Sequence, residues 1–296
     1  MRYRFLMNPV AGRQHGGIPQ LIAQVMQRMG VPQAAYAITP TDPAGLVSQA
    51  AAAFAEADAV VVAGGDGTLH AVLEGYLAAN LTGRAVGLIP VGTGNDLFRH
   101  HRSFNAFRLD PVTRLAAMLA APPVPHPLWR LGDLLIMNYF SIGYDAVVAR
   151  GFGRWRAARA RPAGGWRSYL QYGLIGLRHA WSAGAPEVRL ATPGGDFRAG
   201  HTLIAVSITS YAGGARLVAS PADALTVIPV HDLAAYAGLM ATRWTGRTGR
   251  GTLVRGGILH HNGRGILQYD GETVDLAGLP LELPLRHIGT VPLLLG

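Results

Sequence analysis

The chain has 296 residues, 49% hydrophobic and 15% charged, which suits a folded protein with a sizeable core and excludes a disordered chain. It contains no cysteine and no lysine, which excludes disulfides, thiolate metal sites, cysteine nucleophiles, Schiff-base chemistry and phosphate sites of the P-loop type. The net charge of +9 predicts attraction to nucleic acid, anionic lipid or phosphorylated substrates without choosing among them.

Short apolar runs alternate with segments of helical spacing through the first 120 residues. The predicted strands are 3–10, 34–39, 59–63 and 86–89. The predicted helices are 18–29, 44–57, 68–79 and 110–119. Such alternation is typical of βαβ units, so we expect an α/β, Rossmann-like domain with a parallel sheet over residues 1–122.

A proline-rich linker, APPVPHP at 121–127, follows this domain. Beyond it, strand-like runs punctuated by glycine predict an antiparallel sheet domain over 123–286, with one helix at 232–242. The predicted strands are 134–142, 187–192, 203–209, 225–230, 265–269 and 280–285. The last residues, 287–296, are candidates for returning to the first domain.

A glycine-rich loop ends the third predicted strand, in the sequence VVVAGGDGTLHAV at 60–72. Glycines at a strand-to-helix junction let the backbone approach a ligand closely, and the following helix N-terminus suits a phosphate. Asp66 would repel a phosphate unless a cation lies between them, so the combination favours nucleotide phosphate with Mg²⁺. The alternative interpretation is a tight turn that binds nothing.

The same pattern recurs at two other strand ends. VGLIPVGTGNDLFRH at 86–100 places a glycine loop after the fourth strand, and NPVAG at 8–12 follows the first. Because ligands of α/β folds bind at the carboxyl edge of the sheet, the three loops are expected to line one crevice there.

The motifs NPVAG, GGDGT (64–68), IPVGTGND (89–96) and QYDGE (268–272), in this order, resemble the diacylglycerol kinase catalytic family, which includes bacterial lipid kinases and the sphingosine and ceramide kinases. NYFSIGYDAVVA at 138–149 is similar to that family's opening of its second domain. The resemblance implies transfer of the ATP γ-phosphate to a lipid hydroxyl, in a cleft between an α/β domain and a β-sandwich. By the same resemblance, the residues that hold the nucleotide are Asn8, Pro9, Gly12, Thr39, Gly64, Gly65, Asp66, Gly67, Thr68, Gly92, Thr93, Gly94 and Asn95.

Asp270 and Glu272 stand where the family has its catalytic acidic pair. Phosphoryl transfer needs a group that accepts the hydroxyl proton, and a carboxylate can serve. Asp270-Gly271 is also typical of a hairpin turn, and the two roles are compatible. Asp66 is expected to act with the metal and phosphate, so Asp66, Asp270 and Glu272 are the predicted catalytic residues. Which of the last two takes the proton is left open.

Three features depart from the family pattern, one of which is the missing asparagine before the GG of 213–214, where the sequence reads SITSYAGG. Ala71 stands where an acidic residue is usual, and Ala224 replaces the glycine after Asp223, which the resemblance makes a candidate ligand of a structural or regulatory Mg²⁺. Two alternatives therefore stay open. One is an NAD kinase-like small-molecule kinase, since NAD kinases share GGDGT. The other is a degenerate member that binds nucleotide or membrane as a regulator without turnover.

The stretch 150–181 carries seven arginines with Trp155, Trp166 and Trp181, a composition typical of a membrane surface with anionic headgroups. Nucleic acid is a less favoured partner, and a solvated loop with core tryptophans is the third interpretation. No apolar run reaches the roughly 18 residues that a membrane span needs. We therefore expect a cytoplasmic protein, peripherally associated with the inner face of the membrane, with a lipid substrate. The oligomeric state is left open, a homodimer included.

Overall fold

The computed structural model describes residues 1–9, 17–92, 95–101, 107, 109–158, 166–180, 187–198, 200–211, 215–218 and 220–295. The chain forms two compact units, one comprising Met1–His126 with Thr290–Gly296 and the other Pro127–Gly289. Within the described ranges, no helix is both long enough and apolar enough to cross a bilayer.

The helices and strands are numbered in chain order. The strands are β1 (Tyr3–Met7), β2 (Tyr36–Pro40), β3 (Ala59–Gly64), β4 (Ala85–Pro90), β5 (Val124–Leu131), β6 (Leu134–Ile136), β7 (Tyr139–Gly143), β8 (Val188–Thr192), β9 (Gly195–Arg198), β10 (Thr202–Val206), β11 (Ser210–Tyr211), β12 (Ala215–Arg216), β13 (Leu225–Val230), β14 (Thr252–Val254), β15 (Gly257–His261), β16 (Ile266–Tyr269), β17 (Glu272–Asp275) and β18 (Glu282–Leu294). The helices are α1 (Ile18–Arg28), α2 (Leu46–Glu56), α3 (Asp66–Ala79), α4 (Asp96–His100), α5 (Pro111–Ala120), α6 (Tyr144–Ala157), α7 (Trp166–His179) and α8 (Leu233–Thr245).

The first unit contains a parallel sheet in the order β2-β1-β3-β4, to which Leu293 and Leu294 at the end of β18 add in parallel. Strands β3 and β4, with the sequences AVVVAG and AVGLIP, are buried along their whole length. Continuous apolar runs of this kind are typical of parallel strands covered on both faces. Helix α5 begins as predicted, because the Asp110 side chain accepts a hydrogen bond from the Thr113 amide ahead of Pro111.

The second unit contains two antiparallel sheets with a common core. One sheet has the order β14-β13-β10-β7-β16-β17, and the other runs β18-β15-β8-β9 with β5 and β6 attached. Buried apolar side chains from both sheets form one cluster, which includes Trp129, Phe140, Leu203, Val227, Leu259 and Leu283. The predicted fold class, a parallel-sheet domain followed by an antiparallel β-sandwich, is confirmed.

Helices α6, α7 and α8 supply side chains to a second apolar cluster of this unit, together with strands of the six-stranded sheet. Only α8 was predicted, so the expectation of a single helix in this half was wrong. Helix α6 starts directly after β7 without a polar spacer, and it contains Gly151 and Gly153. Helix α7 contains Gly173 and Gly176. Each glycine costs about 1 kcal/mol of helix propensity relative to alanine, so the local signal is weak and tertiary packing supplies the rest.

Candidate functional site

In the first unit, the loops after β3 and β4 are in van der Waals contact through glycines. A Cβ atom placed on Gly92 would lie 2.4 Å from the Cα atom of Gly65, a distance that no side chain tolerates. The amides of Val91 and Gly92 both donate to the carbonyl of Gly64, at 3.0 Å each. The close approach of the two loops therefore requires these glycines. The sequence pattern predicts that these loops line one crevice.

A side-chain hydrogen bond joins the loop after β1 to the first turn of α3, which follows the loop after β3. The Asn8 amide Nδ2 donates to Thr68 Oγ1 at 2.9 Å, and the backbone amide of Asn8 donates to the Ala63 carbonyl at 3.0 Å. A Cβ on Gly64 would lie 2.7 Å from Thr68 Cβ. The predicted residues Asn8, Gly64 and Thr68 therefore meet at the carboxyl edge of the sheet.

Two carboxylates and an amide lie beside these glycines. Asp66 Oδ2 accepts a 2.9 Å hydrogen bond from the amide of Asp96, whose side chain is buried. Asn95 is fully buried in a left-handed conformation (φ 51°), and its Nδ2 donates to the Gly92 carbonyl at 2.6 Å. Its Oδ1 is buried and has no hydrogen-bond partner among the described residues. Such an acceptor is available to a ligand donor.

The remaining predicted nucleotide residues are less informative. Pro9 and Thr39 are exposed at the ends of β1 and β2, and Gly67 is exposed in the first turn of α3. Gly12, Thr93 and Gly94 lie outside the described residues.

The donor set around Asp66 and Asp96 is compatible with Mg²⁺. Mg²⁺ prefers carboxylate oxygens and commonly takes one or two of them, completing its shell with phosphate oxygens and water. A cluster of three or more His, Asp or Glu side chains suited to a metal does not occur in the described part of the chain. Asp66 and Asp96 are the carboxylates beside the glycine loops that could contribute to a metal site.

In the second unit, backbone amides hold the Asp270 carboxylate. Oδ1 accepts from the amides of Asn138 and Tyr139 at 2.7 and 3.0 Å, and Oδ2 accepts from the amide of Met137 at 2.7 Å. The residue is 5% exposed. Three backbone N–H groups therefore fix the position of the Asp270 carboxylate.

Asp270 and Gly271 also form the two-residue turn between β16 and β17. Their φ values are 46° and 93°, and Tyr269 pairs with Glu272 across the turn. Positive φ at both positions is typical of the tight hairpin turns that Asp-Gly favours, so the hairpin interpretation is confirmed. Glu272 is exposed at the start of β17. The two carboxylates thus have opposite surroundings, one clamped and buried, the other in solvent.

A buried carboxylate that the sequence analysis missed lies in the first turn of α6. Asp145, 1% exposed, accepts from the hydroxyls of Tyr211 and Tyr236 at 2.5 Å each and from Ser141 at 2.6 Å. Burial, followed by the Asp145 charge, raises the pKa of both tyrosines well above the ordinary value. The tyrosines therefore remain hydrogen-bond donors at neutral pH.

Ser141 links Asp145 to the QYDGE motif. Its Oγ lies 2.6 Å from Asp145 Oδ2 and 2.7 Å from Gln268 Oε1. A hydroxyl has one hydrogen, so Ser141 cannot donate to both oxygens. If the amide oxygen and nitrogen of Gln268 are interchanged, Gln268 donates to Ser141 and Ser141 donates to Asp145. In the sequence, the only hint of this network is that Ser141 and Asp145 are four residues apart across the end of β7. That spacing alone does not predict a buried hydrogen-bond network.

The predicted metal ligand Asp223 lies on the surface and faces an arginine. Its Oδ2 accepts from Arg255 Nε at 2.8 Å, and this hydrogen bond is the main reason that the pKa of the Asp223 carboxyl is lowered. Both side chains are more than half exposed. Ala224, which replaces the family glycine, is fully buried. A cation at Asp223 would have to compete with the guanidinium, and this assignment stays a prediction.

Two family models match the chain. The model of the diacylglycerol kinase catalytic domain matches residues 2–121, and that of the diacylglycerol kinase accessory domain matches residues 135–233.

Individual proteins match over shorter stretches of sequence. A diacylglycerol kinase of Bacillus subtilis (strain 168) is 41% identical over 103 residues, 33% of this chain and 32% of the relative. That of Staphylococcus carnosus (strain TM300) is 33% identical over 100 residues, 33% of this chain and 32% of the relative. The matched segments therefore span about a third of the length of these relatives.

Several solved structures are similar over nearly the whole chain. Among them, the structure of a diacylglycerol kinase from Bacillus anthracis str. Sterne has a TM-score of 0.67 and 13% identity, and the match covers 99% of this chain and 96% of that one. At this identity, the likeness shows a shared fold.

Proposed function

The chain belongs to the diacylglycerol kinase family, and on that premise we propose that it is a lipid kinase that transfers the γ-phosphate of ATP to a hydroxyl group of a lipid. The observation that carries the proposal is the contact between the two glycine loops, with Asp66 and Asp96 beside it. Two strand ends that combine close backbone approach with carboxylates suit a metal-bound polyphosphate better than an uncharged ligand.

The first unit is the nucleotide-binding half of the proposal. Backbone amides of the glycine loops and the start of α3 would bind phosphate oxygens, and Asn8 and Asn95 would orient them through their amides. Asp66 and Asp96 would hold Mg²⁺. When bound, Mg²⁺ neutralises charge on the phosphates.

The second unit supplies the acidic pair. In the reaction, the lipid hydroxyl oxygen forms a bond to the γ-phosphorus, the bond from that phosphorus to the β–γ bridging oxygen breaks, and ADP leaves with the electron pair. The hydroxyl proton passes to a carboxylate, for which Asp270 and Glu272 are the candidates. Asp270 is fixed by backbone donors, whereas Glu272 is in solvent, so separate substitutions can distinguish their roles.

A lipid acceptor has to be reached at a membrane surface, so the proposal includes peripheral association with a bilayer on the cytoplasmic side through the arginine-rich segment 150–181. This segment contains no Asp or Glu. Arg154 and Arg156 on α6 are exposed, whereas Arg150 pairs with Asp275 at 2.7 Å. Trp155, whose side chain the structure describes, stacks on Phe152 with 5.4 Å between ring centroids and is partly buried. The charge therefore supports the proposal more than this tryptophan does.

The test is transfer of label from γ-labelled ATP, with Mg²⁺, to a panel of lipids in mixed micelles, with NAD as a parallel acceptor. Asp66→Asn is the matched variant, because it keeps an oxygen for the Asp96 amide and removes only the charge. A labelled lipid that disappears in this variant supports the proposal. Labelled NAD would favour the small-molecule kinase. ATP binding without any labelled acceptor would overturn the proposed kinase activity. It would favour a regulator that binds nucleotide without turnover.

A further inference from the structure

Helix α7 carries a row of leucines on its outer face. Leu170, Leu174 and Leu177 are 55%, 50% and 62% exposed. At 3.6 residues per turn the three side chains fall within an arc of about 60°. Ile175, on the other side of the helix, is buried in the apolar cluster of the second unit. We call the three exposed leucines the leucine row.

The leucine row lies on the side of α7 that faces away from the protein core. A surface helix of a globular protein buries one apolar stripe and turns polar residues to solvent. Helix α7 already buries its inner stripe, and Tyr172 packs against Phe152 of α6 with 5.4 Å between ring centroids. The outer row therefore adds nothing to the core, and a contiguous exposed apolar patch of this kind marks a surface that another body covers.

The charge around the row identifies the chemistry of that body. Arg154 and Arg156 on the adjoining helix α6, and Arg178 next to Leu177, are exposed. No acidic residue occurs anywhere in 150–181. An apolar row bordered by cations is typical of helices that lie in the interface of an anionic bilayer, where leucines enter the acyl region and arginines reach the headgroups.

A second copy of the chain fits the same surface less well. A two-fold interface brings the same patch of both subunits together, so it would gather the positive charges of both copies with no acidic residue of 150–181 to offset them. The row also spans only about 10 Å of helix, which is short for an interface that needs roughly 800 Å² from each partner. A bilayer needs no matching surface and supplies the opposite charge.

We propose that α7 docks in the plane of an anionic lipid bilayer, with the leucine row inserted among the acyl chains and the neighbouring arginines at the headgroups. This inference rests on the proposed function, since it names the surface from which the lipid acceptor is reached. It assigns the apolar part of membrane binding to leucines rather than to the tryptophans of the segment.

The first experiment is co-sedimentation of the full chain, without ATP, with vesicles of phosphatidylcholine alone and of phosphatidylcholine mixed with phosphatidylglycerol. The variant is Leu170→Ser/Leu174→Ser/Leu177→Ser. The control is Leu109→Ser/Leu253→Ser/Leu281→Ser, which removes three leucines elsewhere that are 88%, 50% and 59% exposed. The wild type and control should bind the anionic vesicles, and the row variant should bind at least tenfold more weakly. Equal binding by row variant and wild type would overturn the proposal.

A second measurement does not depend on how well the triple variant folds. Because the chain has no cysteine, Leu174→Cys and Leu253→Cys can each carry one environment-sensitive fluorophore. Anionic vesicles should shift the emission at 174 to the blue and leave that at 253 unchanged. An unshifted probe at 174, or a dimer in sedimentation equilibrium that only the row variant abolishes, would contradict docking to lipid. Failure of label transfer by the wild type would sink the kinase proposal alone, because vesicle binding is measured without ATP.

Discussion

The carboxylate of Asp270 accepts a 2.7 Å hydrogen bond from the backbone amide of Asn138, the residue that precedes β7. Together with the bonds from the two neighbouring amides, this contact ties the β16–β17 turn to the start of β7. A residue at the centre of such a clamp has a structural role in addition to any chemical one. Loss of activity on its substitution would therefore not identify a proton acceptor.

We expect Asp270→Asn to unfold more easily and to lose turnover, whereas Glu272→Gln keeps wild-type stability. Asparagine tolerates the positive φ of this turn, so the backbone is kept. Its NH₂ group, however, would face a backbone N–H in place of a carboxylate oxygen, at a cost of about 1–3 kcal/mol. Urea unfolding and label transfer on both variants measure the two effects.

The stable variant decides the chemical role. If Glu272→Gln loses turnover by 100-fold or more, on the order expected for a general base, Glu272 takes the proton. If Glu272→Gln keeps full turnover, the proton acceptor is Asp270 or water. Full stability of Asp270→Asn would contradict the clamp itself.

Substitution of Gly92 by alanine should weaken nucleotide binding. The added methyl would lie 2.4 Å from Gly65 Cα, and both partners are backbone, so the loops must separate. Overpacking of this kind costs about 1–3 kcal/mol. We expect ATP affinity, measured by calorimetric titration, to fall at least tenfold. Gly17→Ala is the control, because a Cβ there meets nothing within 4 Å. Equal affinities in both variants would show that the contact between the loops is not needed for the nucleotide.

The family and the parallel-sheet half could be read from the sequence because their signals are local. Glycine loops, helix starts and buried strands such as β3 each occupy a few adjacent residues, and the resemblance to the diacylglycerol kinase family is confirmed by both family models. The helices and long-range contacts of the second half were harder to predict from the sequence. Helices α6 and α7 are interrupted by glycines and depend on packing, and the clamp on Asp270 joins residues more than 130 positions apart. No local pattern reports such a contact.

The hydroxyl cage around Asp145 is expected to be a large contributor to stability. Hydrogen bonds to a buried charge contribute about 1.5–3 kcal/mol each, so Tyr211→Phe and Tyr236→Phe should each lower the free energy of unfolding by that order. Because both hydroxyls share one carboxylate, the double variant should deviate from the sum of the single effects. Urea unfolding of the four proteins in this cycle measures the coupling.

Tyr76→Phe is the control for the cage, since Tyr76 is partly buried and packs edge-on against Phe54, 5.3 Å between ring centroids. Its substitution should change stability by no more than about 0.5 kcal/mol. Single-variant losses no larger than this control would mean that Asp145 does not depend on the tyrosines.

The stability of the protein should fall in acid because of a partly buried histidine. Burial, assisted by the neighbouring His100 and His126, lowers the pKa of His101 to about 3 from the ordinary value of 6.5. Between these two values the unfolded chain binds a proton at this site and the folded chain does not. The free energy of unfolding therefore decreases as the pH falls from 6.5 towards 3, by up to about 1.4 kcal/mol per pH unit. Urea unfolding across this range should show a shallower pH dependence in His101→Gln than in wild type. His231→Gln, at an exposed position, should keep the wild-type slope, and an unchanged slope in His101→Gln would mean that another group is responsible.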